Sequence, residues 1–197
     1  MAIDASEVRV AGYGHIYIAP EGTTLPADVD TAMTADWVDL GYATTDGVTF
    51  TFSRETEDLD AWQGDKIRVL SLKEPKMAEF TLMQTDAATV TAALGGGSWA
   101  DVGGLGTFTP PEMGENAVRA MVVEYEDGSD IKYRYCFARV QQEGDVTMTL
   151  NREGAVEYPM TMGVLEADPS YTILTNDPAI VKSSARSARQ AAPASAE

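Results

Sequence analysis

Two runs of carboxylates have the density for acid–base chemistry: Glu55-Thr-Glu-Asp-Leu-Asp60 and Glu124-Tyr-Glu-Asp127. Two carboxylates flanking a glycosidic bond are the minimum equipment of most glycoside hydrolases, so inventory alone does not dismiss that activity. Placement speaks against it, because the first run falls in a loop and the second at the tip of a hairpin, where dense charge is ordinarily a solvated face. Other chemistries fail sooner. A single histidine, His15, excludes a histidine-based triad and a histidine-rich metal site. Asp28-Val-Asp30 begins like a calcium loop, then offers Ala32 and Met33 where a ligand and the obligatory glycine belong. Gly12-Tyr-Gly14 lacks the third glycine and the following helix of a dinucleotide fingerprint, and no phosphate-binding Gly-x-x-x-x-Gly-Lys-Ser/Thr occurs. Cys136, the only cysteine, cannot close an internal disulfide, and the apolar alternating run Ile131 to Val140 around it predicts a buried, inert thiol. The reading is therefore no catalytic residue, no cofactor and no metal.

Composition and charge narrow the classes further. The 197 residues carry 14 basic and 31 acidic side chains, a formal charge of 14 − 31 = −17, which argues against a grip on nucleic-acid phosphates. It is compatible with a surface past which a polyanion slides, since attraction summed over many phosphates would become a trap. The same acidity also keeps an abundant protein soluble. No apolar run approaches the roughly 20 residues of a membrane span, and Met1-Ala-Ile-Asp-Ala-Ser-Glu7 has neither the basic nor the apolar region of a secretory signal. The expectation is a protein made in the cytosol that does not enter a membrane.

Strand signals dominate. Val48, Phe50 and Phe52 alternate with Thr49, Thr51 and Ser53. Ala78, Phe80 and Leu82 alternate with Glu79, Thr81 and Met83. Val146, Met148 and Leu150 alternate with Thr147 and Thr149, and Val156, Tyr158, Met160 and Met162 with Glu157, Pro159 and Thr161. Four strands thus share an apolar face backed by threonine, whose β-branch suits the pleat and whose hydroxyl tolerates water. A hairpin over Arg119 to Val140 turns at Asp127-Gly128 and sets Glu124 and Glu126 across from Lys132 and Arg134. One helix is predicted, Asp86 to Leu94, capped by Thr85 or Asp86, with Ala87, Val90 and Leu94 on one face and Gly95 as its stop. Gly95 to Gly106 reads as a loop of six glycines around Trp99. The fold expected is mainly β: an antiparallel β-sandwich or partial barrel with one short packed helix over residues 1–182. Residues 183–197 form an Ala/Ser/Arg/Pro tail with too little apolar surface to offset its ordering entropy.

The N-terminal half carries a further signal. Gly14-His-Ile-Tyr-Ile-Ala-Pro-Glu-Gly-Thr-Thr-Leu-Pro is followed by Trp37-Val-Asp-Leu-Gly-Tyr, by Asp46-Gly-Val-Thr-Phe-Thr-Phe-Ser-Arg54, and by an Asp-rich loop ending in Trp62-Gln-Gly-Asp65. This order resembles the major tail tube proteins of phages with long, non-contractile tails, notably those of actinobacteria. It is carried by Gly14 to Leu94 and continues by pattern to about Asp168.

The resemblance implies sixfold rings in which each subunit gives four strands to an inner barrel, with rings stacked into a hollow tube that conducts DNA. It implies assembly in the host cytoplasm, a place in the virion tail, and partners that are further copies of the chain, a tape measure protein, and tail terminator and tip proteins. DNA would pass without specific binding. Under that implication the threonine faces line the lumen: Thr49, Thr51, Ser53, Glu79, Thr81, Thr147, Thr149, Glu157 and Thr161. The loop bearing Arg54, Glu55, Glu57, Asp58, Asp60, Trp62, Gln63 and Asp65 is expected to clamp a neighbouring subunit, because an exposed Trp62 among acidic residues calls for a covering surface. Two other classes satisfy the same inventory: another virion structural protein, such as a capsid decoration or head–tail joining protein, and a carbohydrate-binding module using Trp37, Trp62 and Trp99 as platforms.

Overall fold

Alternating apolar and polar residues become strands wherever a neighbouring strand exists to receive them. The computed structural model describes residues 4–60, 62, 66–150, 152 and 154–182. In chain order the elements are β1 (Tyr13–Pro20), β2 (Val38–Asp39), β3 (Ala43–Phe52), β4 (Glu55–Asp60), β5 (Lys66–Lys73), β6 (Lys76–Leu82), α1 (Ala87–Ala93), β7 (Ser98–Val102), β8 (Leu105–Thr109), β9 (Arg119–Asp127), β10 (Ile131–Gln142), β11 (Tyr158–Val164) and β12 (Tyr171–Thr175). Every strand pairing is antiparallel.

Eight strands form the main sheet in the order β2-β1-β9-β10-β11-β6-β3, with β12 also on β10. The long strand β10 organises it. One edge of β10 pairs with β9, whereas the other is shared, residues 133–137 taking β12 and residues 140–142 taking β11. A bulge between Phe137 and Val140 interrupts the ladder at the changeover, and bulges bend strands. The β11-β6-β3 portion therefore folds over β1-β9-β10. Ile16, Ile18, Met121, Val123, Phe137 and Val140 from one layer meet Ala78, Phe80, Leu82, Tyr158, Met160 and Met162 from the other. Phe50 of β3 stacks on Tyr135 of β10 with ring centroids 4.8 Å apart, which fixes the two layers face to face. The other face of β1-β9-β10 holds Ala19, Ala120, Val122 and Cys136 under Trp37, Leu25 and Met33 from the connection between β1 and β2. Both faces of this layer are thus covered. The expected antiparallel sandwich forms, with α1 packed on it; two further helical stretches, a 3-10 turn at Ala5–Glu7 and a helix over residues 178–182, lie outside the expectation.

The β9–β10 hairpin follows its predicted register, with Glu124 opposite Arg134 and Glu126 opposite Lys132. Gly128, at φ 68°, supplies the left-handed residue of its turn. Cys136 is fully buried, and burial pushes its thiol up to about 11.

Four expectations are corrected. Residues 146–150 form no strand: Met148 and Leu150 are exposed, and the segment pairs with no strand among the described residues, so alternation finds no ladder to join. Thr147 and Thr149 are consequently not on a sheet. The acidic stretch from Glu55 is not a loop but the first strand of the β4–β5 hairpin. Residues 98–109 are not a glycine loop but a second hairpin, β7–β8, turned by Gly103 and Gly104 at φ 66° and 85°, the left-handed pair that a tight two-residue turn needs. Helix α1 is capped by Asp86, which accepts from the Thr89 amide at 2.8 Å, but its buried face is Thr89, Ala92 and Ala93, while Ala87 is exposed. Small side chains let the helix lie close on the sheet, and the Thr89 hydroxyl donates to the Leu40 carbonyl.

Candidate assembly surfaces

Three of the threonine-backed strands lie side by side. Strand β6 sits between β3 and β11, and the register sets Thr49, Glu79 and Thr161 in one row across the three strands. Because side chains alternate along a strand, this row lies on the face away from Phe80, Ala78 and Met160, which are buried. Thr51 aligns with Met77, and Thr81 with Pro159, on the same face. Thr49, Thr51 and Glu79 are exposed; Thr81 and Thr161 are half-buried. Ser53 and Glu157 lie just outside their strands, both exposed. Apart from Glu79 the row is neutral, and it is hydroxyl-rich.

Strands β3 and β6 continue beyond the body as β4 and β5. At the joint, the Ser53 amide donates to the Pro75 carbonyl at 2.9 Å and Arg54 Nε lies 2.9 Å from Glu74 Oε1. One long hairpin therefore runs from Ala43 to Leu82, its lower half rooted in the core and its upper half projecting. Six residues of β4 reach roughly 20 Å. Glu55, Glu57, Asp58, Leu59, Ile67, Arg68, Val69 and Lys73 are all exposed, and Trp62 at the tip is fully so. Asp60 pairs with Lys66 through the backbone register. Gln63 and Asp65 lie outside the described residues, as do residues 183–197. The second hairpin also projects: Val102 and Leu105 at its tip are exposed, while Trp99 packs on Phe108 at its base. The Gly103-Gly104 dipeptide between two short strand-like runs carries that signal in the sequence.

Polar clusters lock the scaffold beneath these projections. Arg134 is buried at 4% exposure, donates to Glu124 Oε1 and, at 2.7 Å, to the Asp28 carbonyl, and so ties the β1–β2 connection to the sheet. Asp28 itself accepts from Asp30 and Thr31, closing the turn that a calcium loop would have used for ligands. Near the chain ends Asp177, buried, accepts from Arg9 at 2.6 and 2.8 Å and from the Tyr133 hydroxyl. The Arg9 hydrogen bonds, then that of Tyr133, hold its carboxyl well below the usual carboxylate range. His15 Nδ1 lies 2.7 Å from Asp39 Oδ2, beside the rings of Tyr13 and Tyr17. A side chain at Gly14 would place its Cβ 2.6 Å from the Glu124 carbonyl, so only glycine lets β1 lie this close to β9. The two carboxylate runs are thus divided between a projecting strand and a structural ion pair, with no shared cleft between them.

Of the three tryptophans, Trp37 is core, Trp99 is half-covered by Phe108, and Trp62 alone is fully open. A comparison with curated proteins gives no match. The family model described as phage tail tube protein matches residues 1–185, which takes in the sandwich, both hairpins and the helix. A β-sandwich with an outward hydroxyl-rich row and projecting hairpins accords with that match, and the chain belongs to the phage tail tube protein family.

Proposed function

We infer that copies of this chain close into rings of six, and that the rings stack into the hollow tube of a long, non-contractile tail of the kind found on phages of actinobacteria. The tube conducts DNA during infection. The observation that carries this reading is the long hairpin from Ala43 to Leu82, whose upper half exposes Leu59, Trp62, Ile67 and Val69 beyond the core. A two-stranded hairpin is marginally stable alone in water, and one that displays this much apolar surface calls for a neighbour. Its lower strands carry the Thr49-Glu79-Thr161 row, which becomes the lumen when adjacent subunits continue the sheet around the ring. Thr51, Ser53, Thr81 and Glu157 extend that lining. A barrel of many strands encloses an aqueous channel, so its inward face is polar.

The tape measure protein would occupy the lumen before DNA does, and terminator and tip proteins would meet the two ends. Assembly takes place in the host cytoplasm and the product resides in the virion tail. Electron microscopy of concentrated protein tests the reading. Hollow filaments of even width with sixfold cross-sections are expected. Rings of another symmetry would sink the hexamer, and protein that stays dispersed under all conditions would sink the tube.

A further inference from the structure

Hairpin β7–β8 and a groove between the two layers sit at opposite ends of the body. The hairpin forms a sheet of its own, rooted where the Ala117 amide donates to the Gly95 carbonyl at 2.7 Å, two residues before β9 begins. The groove, a cavity of about 790 Å³, is lined by Ile16, Val48, Phe50, Val123, Tyr125 and Tyr135, toward the far end of the same strand. From Arg119 to Tyr125 along β9 is roughly 20 Å. Helix α1 spans the same interval: Gln84, at the groove, donates to its cap Asp86 at 2.9 Å, and Gly95 follows its last turn at the hairpin root.

We propose that the Val102–Leu105 turn of one copy enters this groove on a second copy, and that the contact joins ring to ring along the tube. The inference rests on the tube reading above and names the elements that meet between rings. Val102 and Leu105 stand opposite each other across the turn, both exposed, so the tip carries two aliphatic side chains on a tight glycine turn. A cavity of this size receives a body of small-molecule dimensions, and a four-residue turn is of that order. Charge selects the same pair of surfaces. Copies of a chain with net charge −17 repel one another. Yet residues 97–111 hold one charged side chain, Asp101, whose carboxylate already accepts from the Gly104 amide at 2.7 Å. The carboxylates beside the groove are engaged too, Asp39 with His15 and Glu124 with Arg134. A neutral tip can therefore approach a groove whose charges are already paired. The rings of Tyr13 and Tyr42, exposed among the groove residues, would be covered by the strands behind the turn. Because tip and groove are different surfaces, the contact is heterologous: each copy added leaves one tip and one groove free, and repetition extends a filament.

Disulfide trapping in the full-length chain tests the pairing. One chain carries Leu105→Cys and another Tyr42→Cys; both positions are exposed, and the native Cys136 is fully buried. Under mild oxidation of concentrated protein, an equimolar mixture is expected to give cross-linked heterodimers at least tenfold faster than either chain couples to itself. Heterodimers that form no faster than self-coupled dimers overturn the proposal. A second variant, Val102→Asp with Leu105→Asp, should melt like wild type and close into rings that do not stack, with tube yield reduced at least tenfold. Tubes at wild-type yield overturn the proposal, and so does loss of the rings themselves, which would place the hairpin in the ring contact. Rapid heterodimer formation without hollow filaments from the wild-type chain overturns the tube reading and leaves the contact standing. Hollow filaments without heterodimers do the reverse.

Discussion

Glu79 on β6 stands directly opposite Thr161 on β11, on the face of the sheet turned away from the core. Thr49 on β3 completes the row from the other side, so one carboxylate is set at the middle of a three-strand hydroxyl surface. If that surface is the wall of a channel, Glu79 faces every phosphate that passes.

Glu79→Lys is therefore expected to replace repulsion by attraction once per subunit along the whole tube. Exposed at a sheet face, the substitution should leave the monomer within about 0.5 kcal/mol of wild type. DNA release from the virion, followed by fluorescence, should slow by roughly tenfold or more, with tube length unchanged. Release at the wild-type rate would remove this face from the lumen.

The joint between body and projecting hairpin separates stability from assembly. Trp62 is fully exposed, so Trp62→Ala should not move the melting temperature of the monomer. Deleting 57–64 should likewise leave a folded subunit. Both changes are expected to abolish or severely reduce tube formation, scored by electron microscopy, and normal tubes from the deletion would end the idea that this hairpin is a clamp.

Arg134 is the buried cation of the scaffold. Glu124→Ala leaves its guanidinium at 4% exposure with the Asp28 carbonyl but without its ion-pair partner. Removing one partner of a buried ion pair costs about 3–5 kcal/mol. Urea denaturation should report a loss of that order, smaller for Glu124→Gln, which keeps an acceptor in place. A change under 1 kcal/mol for the alanine variant would show that water reaches the guanidinium.

Asp177 makes the attachment of the two chain ends depend on pH. Its carboxyl is held low by Arg9 and by Tyr133. A depressed folded pKa adds stability that is complete above the unfolded value, about 3.9, and fades as pH falls toward the folded one. Asp177→Asn should thus melt several degrees below wild type at pH 7. The gap should narrow progressively below about pH 4, where Asp177 begins to protonate in the unfolded chain while the folded carboxylate stays charged. A gap that stays constant from pH 7 to pH 3 would assign the effect to shape rather than charge.

The sequence made the sandwich legible because its strands alternate and find partners. Val48, Phe50, Phe80 and Met160 turn inward as their spacing requires, and the cross-strand charges at Glu124 and Glu126 announce the register of β9 on β10. Residues 146–150 alternate equally well and form nothing, since periodicity describes one strand and a ladder takes two. The helix was placed correctly, but its face was only partly so: Val90 packs on the core as expected, whereas Ala87 is exposed and the deepest residues are Thr89, Ala92 and Ala93, small side chains that let the helix approach the sheet. The acidic run from Glu55 concealed a strand because charge reads as loop, whereas the basic, apolar run beyond it, from Lys66, reads as a strand by itself and is one. Of the candidate site, residue identities were readable, whereas the row joining Thr49, Glu79 and Thr161 depends on which strands are neighbours.

The joint at Ser53 and Pro75 also has a kinetic consequence. Above it lie strands with no core of their own, held in the free subunit by little more than their own ladder. Ordering them is repaid only when surfaces on both sides are occupied, so the first few subunits to meet gain little and the last to close a ring gains most. A pool of free subunits should accordingly remain dispersed well above the concentration at which finished tubes persist, with a lag that a preformed end removes. Growth would then start where a template waits and nowhere else.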